Sequence, residues 1–338
     1  MNRLEALLRE GVAQRVFEHA NACVWHQGAP GFSGGTADAA ARFDLASVTK
    51  VMSTTALCLA LELDLATTVG SVFPFAKSAH LTVADLLTHR SGLPGFEPFF
   101  SRCTTREEVV HAALAVAPTS PVGSAAIYSD IGFIVLGELI SAIHRSPLDH
   151  LFTKHIAAPL GLHESGFRPV SQSLPLNDVI STGGTRPREP APGQEGLWSV
   201  AVGPSRLGDV DDDNAYAMNG VAGHAGLFGS ARDVARFGQA ILSGELGKRR
   251  SWPRDATPGS TRTLGFDTPG AEAPSCGSRF GPHAIGHLGF TGTSVWLDFD
   301  RQIVVALLTN RVVFGRANQQ IRQFRPRFHD LVMSELGL

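Results

Sequence analysis

The 338-residue sequence is short of charge. Lys and Arg number 29 and Asp and Glu 31, together 18% of the chain, against about 25% in an average soluble domain. The two signs nearly cancel, at a formal net charge of −2. A general nucleic-acid binder needs a strong basic footprint, so nucleic acid is excluded as a partner. No run of 18 or more apolar residues is present. The best stretch, Val51 to Phe75, is broken by Glu62 and Asp64, so no membrane-spanning helix is expected. The four cysteines (Cys23, Cys58, Cys103 and Cys276) lie far apart with no CxxC pair. Reduced core thiols are expected rather than disulfides or metal ligands. No GxGxxG, GxxxxGK[ST] or HExxH run occurs, and no cofactor or metal is expected. The opening residues, MNRLEALLREGVAQR, carry charge throughout and lack the apolar stretch of a secretory signal. They read as an amphipathic helix with Leu4, Leu7, Leu8 and Val12 on one face, and a cytoplasmic location is the expectation.

Glycine and proline are what the chain has in quantity, 36 and 20 residues, implying many tight turns. Hydrophobic residues make up 43%, enough for a sizeable core. The length allows two domains, or one with a large insertion. Val16 to His26 is strand-like and 28–35 reads as a turn. Ala46 to Leu63 reads as a long buried helix, followed by helices over Leu81 to His89, Thr105 to Val116, Ile131 to His144 and Leu148 to Leu160. Residues 169–214 are rich in Pro, Gly and Ser and too long for an ordinary connection, so a functional or wrapping loop is expected. Ser230 to Ser243 is a helix, with Ser230 and Asp233 spaced as a capping box. The segment 248–259 reads as a polar flap. Ser294 to Phe299 and Gln302 to Thr309 read as an antiparallel hairpin, and Asn318 to Leu336 closes the chain as a helix. Strands at both ends with helices between them predict one α/β (α+β) domain, an antiparallel sheet flanked by helices over 1–75 plus 215–338. An all-α insertion would occupy 76–214.

Three places could carry chemistry. Ser47 stands where a helix begins, near free N–H groups, with Lys50 three residues on and so on the same face. A serine hydroxyl needs a neighbouring base to be a nucleophile, and a buried lysine can serve. An N-cap serine beside an exposed lysine fits the same spacing. Tyr128 precedes an apolar helix and could relay a proton if cations lower its pKa, or be a half-buried core tyrosine. His287-Leu288-Gly289-Phe290 sits at or near a strand. Its glycines and histidine suggest a backbone that a ligand approaches closely, or an ordinary bulge. A free strand edge there could bind an acyl group and supply an oxyanion donor.

The order of these segments resembles the serine β-lactamase and penicillin-binding protein superfamily. Within it, the chain is similar to the class C-like branch of esterases, D-amino-acid peptidases and muramyl-peptide amidases. The resemblance rests on Phe43-Asp44-Leu45-Ala46-Ser47-Val48-Thr49-Lys50, on Leu86-Leu87-Thr88-His89-Arg90-Ser91-Gly92-Leu93-Pro94, on Gly223-His224-Ala225-Gly226-Leu227-Phe228, and on Gly286-His287-Leu288-Gly289-Phe290-Thr291-Gly292. It implies the β-lactamase/transpeptidase-like fold. It also implies Ser47 as nucleophile, Lys50 and Tyr128 as the proton-transfer network, and the N–H groups of Ser47 and Phe290 as the oxyanion hole. His287 would hold a substrate carboxylate or polarise Tyr128, with Asp130, Gly289 and His224 as further substrate-binding residues.

Departures from the common pattern matter. Asp130 stands where many relatives have Asn, and beside Lys50 it would hold the lysine charged and shift the base role to Tyr128. His287 replaces a lysine and Leu288 a small hydroxyl residue, so efficient β-lactamase activity is not expected. Asp209, Asp211, Asp212 and Asp213 resemble a metal cluster but read better as solvated acids or a cleft wall. His89 and His224 read as loop-ordering groups. Arg186 and Arg188 would meet an anionic substrate or solvent. The expected function is a serine hydrolase acting through an acyl-enzyme on a small molecule or short peptide. A peptidoglycan-derived amide is the expected substrate. A carboxylesterase of the same fold is the close rival, and a silent ligand-binding or sensor protein the alternative of another class.

Overall fold

The computed structural model describes residues 2–168, 178–204, 207–247, 252–272 and 274–338. Five strands form the main sheet: β1 (Ala20–His26), β2 (Ala29–Gly35), β3 (Ile285–Leu288), β4 (Ser294–Asp298) and β5 (Ile303–Thr309). Their order is β2-β1-β5-β4-β3, antiparallel throughout, so the two ends of the chain meet at the β1–β5 pairing. The residues read as a turn at 28–35 are strand β2, joined to β1 by the tight turn at Gln27 and Gly28, both at positive φ.

Strand β5, IVVALLT, is buried along its whole length, as a central strand covered on both faces must be. Its alternation divides the core in two. Ile303, Val305 and Leu307 pack with Phe17, Trp296, Phe324 and Phe328 under the first and last helices. Val304, Ala306 and Leu308 face the larger core with Phe237 and Ala240. The first helix, α1 (Asn2–Ala13), and the last, α5 (Ile321–Glu335), pack on each other on one face. On the other lies α4 (Ala231–Ser243). Ser230 caps α4 by accepting from the Asp233 N–H, but the Asp233 carboxylate accepts from the Glu164 N–H at 2.8 Å, so that half of the expected box goes to a neighbouring turn.

Between β2 and β3 along the chain come helix α2 (Lys50–Ala60), π-helical over Lys50–Thr55, and helix α3 (Asp130–His144), buried on most sides. Shorter helices, Val83–Leu87 and Arg106–Leu114, each carry a full capping box. Among the described residues no single helix is long and apolar enough to cross a membrane. All four cysteines are buried and unpaired. In the long loop, residues 169–177 and 205–206 lie outside the described residues. The rest forms a strap whose Thr185–Arg186 pairs with Gly203–Pro204. Residues 248–251 of the expected flap also lie outside. From Trp252 onward that segment is packed, with Trp252 edge-on to Phe266 and Asp255 paired to Arg90 at 3.3 Å.

Candidate active site

Ser47 lies in a turn three residues before α2, and the turn is stitched to two other stretches of chain. Phe43–Asp44 pairs with Leu227–Gly229, the Leu45 N–H donates to the Leu227 carbonyl at 2.9 Å, and the Thr293 hydroxyl donates to the Leu45 carbonyl at 3.0 Å. Ala46, just before Ser47, has φ +47°, a region an L-residue enters only when its surroundings hold it there.

Lys50 is fully buried. Its ammonium donates to Ser47 Oγ at 3.1 Å, to Asp130 Oδ1 at 2.6 Å and to the His224 carbonyl at 3.2 Å. Three contacts thus surround the buried nitrogen, and the Asp130 carboxylate is the one that favours its charged form. Burial pulls the Lys50 pKa down, but the Asp130 carboxylate, with the Tyr128 phenol adding in the same direction, outweighs it and the net shift is upward. Asp130 is the first residue of α3, where the helix dipole also favours a carboxylate. The His224 carbonyl reaches Lys50 because Gly223 lies against Gly137 of α3. A Cβ at 223 would sit 2.1 Å from the Phe133 carbonyl oxygen.

Tyr128 is half-buried and its ring is crowded by cations, with Lys50 Nζ 4.8 Å and the Arg262 guanidinium 5.0 Å from its centroid. His89 lies against it at 4.7 Å and orders the segment by accepting from the Ser129 N–H through Nδ1 at 3.0 Å. The His287 ring stands 5.9 Å from Tyr128. Its Nδ1 lies 2.8 Å from the Leu288 carbonyl, which can only accept, so Nδ1 carries the proton and Nε2 the lone pair. Burial, with Lys50 and Arg262 nearby, pushes the His287 pKa well below its usual value. A neutral imidazole cannot hold a substrate carboxylate by charge, which leaves it only the role of acceptor beside Tyr128.

These groups line one cleft of about 520 Å³, with Ser47, Tyr128, Asp130, His287, Gly289 and Phe290 all at its surface. Among the described residues, neither the Ser47 nor the Phe290 N–H donates a hydrogen bond within the protein. The fold itself requires glycine at 289: a Cβ there would meet the Thr293 hydroxyl at 2.0 Å and the Leu45 carbonyl at 2.5 Å. The His224 side chain does not reach the cleft. It is 1% exposed and its Nε2 lies 2.9 Å from Asp212, so in place of a substrate-binding ring it gives the site only its carbonyl. Burial raises the Asp212 carboxyl, yet His224 outweighs it and holds it below the usual carboxylate range.

Asp211 and Asp213 of the Gly-rich loop are not solvated, whereas Asp212 is partly exposed at the cleft. Asp211 pairs with Arg188 and with Arg316 at 3.4 Å, and Asp213 pairs with Arg186 and with Arg316 at 2.7 Å, all nearly buried. Arg186 and Arg188 therefore clamp the strap to the cleft wall instead of meeting substrate or solvent. Besides Arg316, the cations that do face the cleft are Arg262, Arg311, Arg322 and Arg325, none of which the sequence singled out. Arg311 Nε donates to the Phe290 carbonyl at 2.7 Å and Arg325 to the Thr293 carbonyl at 3.2 Å. Among the described residues, Arg311, Arg322 and Arg325 form no ion pair with a carboxylate. Burial first, then neighbouring arginines, pulls Arg325 to about 9 and Arg311 to about 10. The i, i+3 spacing of Arg322 and Arg325 on the closing helix was the one available signal. Phe96 and Phe100 make an apolar wall.

Comparison with known proteins agrees with this architecture. The Beta-lactamase family model matches residues 4–325. A Salmonella paratyphi A protein named "Putative D-alanyl-D-alanine carboxypeptidase" is 30% identical over 327 residues, covering 82% of this chain and 71% of its own. A class C beta lactamase from Rhodobacter sphaeroides superposes with a TM-score of 0.71 at 16% identity, covering 99% of this chain and 100% of its own. EstCE1, a hydrolase with promiscuous acyltransferase activity, superposes at 0.66 and 20% identity, covering 96% and 98%. By the match along nearly its whole length, the chain belongs to the Beta-lactamase family of serine hydrolases.

Proposed function

We propose that the protein hydrolyses a small amide through an acyl-enzyme on Ser47, with a peptidoglycan-derived peptide as substrate class. The observation that carries this reading is the contact of Ser47 Oγ with an ammonium that Asp130 keeps charged. A charged lysine cannot take the serine proton, so the base is Tyr128, whose ring stands between Lys50 and Arg262 at the cleft surface. Tyr128 takes the proton as Ser47 attacks the carbonyl carbon, and returns it to the leaving amine as the C–N bond breaks. The Ser47 and Phe290 N–H groups, free of partners within the protein, are the donors for the oxyanion. Water, deprotonated by Tyr128, then attacks the acyl carbon, the bond to Ser47 Oγ breaks, and Tyr128 returns the proton to Ser47 as the acid leaves. The arginines without carboxylate partners suit a substrate that ends in a carboxylate, as a D-alanyl-D-alanine terminus does. The name of the Salmonella relative points the same way.

An ester substrate is the second reading. Phe96 and Phe100 offer an apolar wall to an acyl or alkyl group, and EstCE1 shares the fold.

The test is intact-mass spectrometry after incubation with a fluorophosphonate and with a labelled penicillin, followed by a substrate panel. Covalent mass on Ser47, lost in Ser47→Ala, together with turnover of D-alanyl-D-alanine peptides or muramyl peptides, is the expected result. Labelling with turnover of p-nitrophenyl esters alone selects the esterase. No adduct with either reagent on folded protein overturns the hydrolase reading in favour of a ligand-binding protein.

A further inference from the structure

Asp44 is a buried carboxylate whose two oxygens both accept from the backbone. Oδ1 accepts from the Ala46 N–H at 2.8 Å and Oδ2 from the Asp211 N–H at 2.6 Å. The first holds the residue that precedes Ser47 at φ +47°. The second ties that turn to the wall of the cleft carrying Asp211, Asp212 and Asp213. The Asp44 carbonyl in turn accepts from the Thr291 hydroxyl at 2.7 Å, next to Phe290. Two distant stretches of chain thus converge with the nucleophile's own turn on one residue that does not itself line the cleft.

We propose that Asp44 is a positioning residue for the nucleophile: one oxygen holds Ala46 in the left-handed conformation that presents Ser47 Oγ to Lys50, and the other fixes the cleft wall to the same turn. This rests on Ser47 being the nucleophile. An alanine released from the clamp relaxes toward negative φ, where an L-residue is unstrained, and the hydroxyl leaves the line of attack. Misplacement of a reacting group by about 1 Å costs on the order of a hundredfold in rate. Burial pushes the Asp44 carboxyl up to about 7, and the two N–H donors work against that rise.

The test reads covalent labelling of Ser47 by a fluorophosphonate in the full chain. Asp44→Asn keeps the shape but turns an amide N–H toward one backbone N–H, breaking one arm of the clamp. The maximal labelling rate is expected to fall about 10- to 100-fold, with the half-saturating concentration little changed. A purely structural loss would not show that split. Adding Ala46→Gly to Asp44→Asn is expected to recover tenfold or more of the rate, because glycine occupies positive φ without strain. Labelling of Asp44→Asn at the wild-type rate, or a double variant no faster than the single, overturns the proposal. If Asp44→Asn does not fold, Asp44→Asn/Ala46→Gly is compared with Ala46→Gly. Rates within threefold support the clamp and a tenfold gap overturns it. Failure of the wild type to label at Ser47 overturns the hydrolase reading instead, so the two failures are distinct.

Discussion

Two buried clusters of opposite charges border the same cleft and differ in what each leaves unmatched. Around Lys50, one ammonium meets one carboxylate, and its third hydrogen bond goes to a serine hydroxyl at the cleft surface. Around Asp211 and Asp213, three arginines and two carboxylates close on one another, with Arg186 and Arg188 drawn in from the strap. The first cluster directs a charge at a group that can react, and the second uses its charges to fasten a loop. The role of a buried ion pair is therefore read from what faces the cleft, not from the number of charges.

The sharpest way to break the comparison is to remove one cation from each side. Lys50→Ala strips the activating charge and leaves Asp130 unpaired. Its kcat/KM is expected to fall by roughly 10³-fold or more, about 4 kcal/mol, measured on whichever substrate the panel identifies. Arg186→Met does the opposite. Removing one partner of a buried pair costs about 3–5 kcal/mol of stability, expected as a lower melting temperature and denaturation midpoint. Fluorophosphonate labelling of Ser47 should stay within a few-fold, because Arg186 does not line the cleft. A large loss of labelling with unchanged stability would mean that the strap cluster acts in the chemistry.

A third test follows from burial alone. His329 lies buried behind the arginines, and burial, with Arg325 adding to it, pulls its pKa to about 3. The unfolded chain binds that proton below about 6.5 and the folded chain does not until about 3, so this group's contribution is lost as pH falls through that window. The slope is at most about 1.4 kcal/mol per pH unit. Stability measured from pH 7 to 4 should fall less steeply in His329→Gln than in the wild type by that amount, and parallel curves would refute it. The smallest effect is expected at Arg262→Gln, a loss of about fivefold in kcat. A raised KM with kcat unchanged would instead assign Arg262 to substrate binding.

The segments around Ser47, Lys50, Tyr128 and His287 were legible because each is local. A serine and lysine three apart share a helix face at any time the helix forms, and the glycine-rich turns carry their own punctuation. The exposed-or-buried state of the charges was not legible. Arg186, Arg188, Asp211 and Asp213 look like solvated loop residues in sequence, and only the strap's return across the cleft puts them within reach of one another. His224 failed for a related reason. Its segment was recognised, but which of its groups faces the site depends on the close approach of Gly223 to Gly137.

The sequence by itself determined the antiparallel strands at the two ends of the chain, the apolar helices between them, the family resemblance and the nucleophile's neighbourhood. All of these follow from periodicity and short spacings along one stretch of chain. Tertiary structure alone decided that the Lys50 nitrogen is fully buried among Asp130, Ser47 and the His224 carbonyl, that His287 is neutral, and that, among the described residues, arginines without a carboxylate partner line the cleft. Each depends on burial and on groups that only the fold brings together, such as Asp130, 80 residues from Lys50, and the electrostatics of a group are set by its neighbours in space.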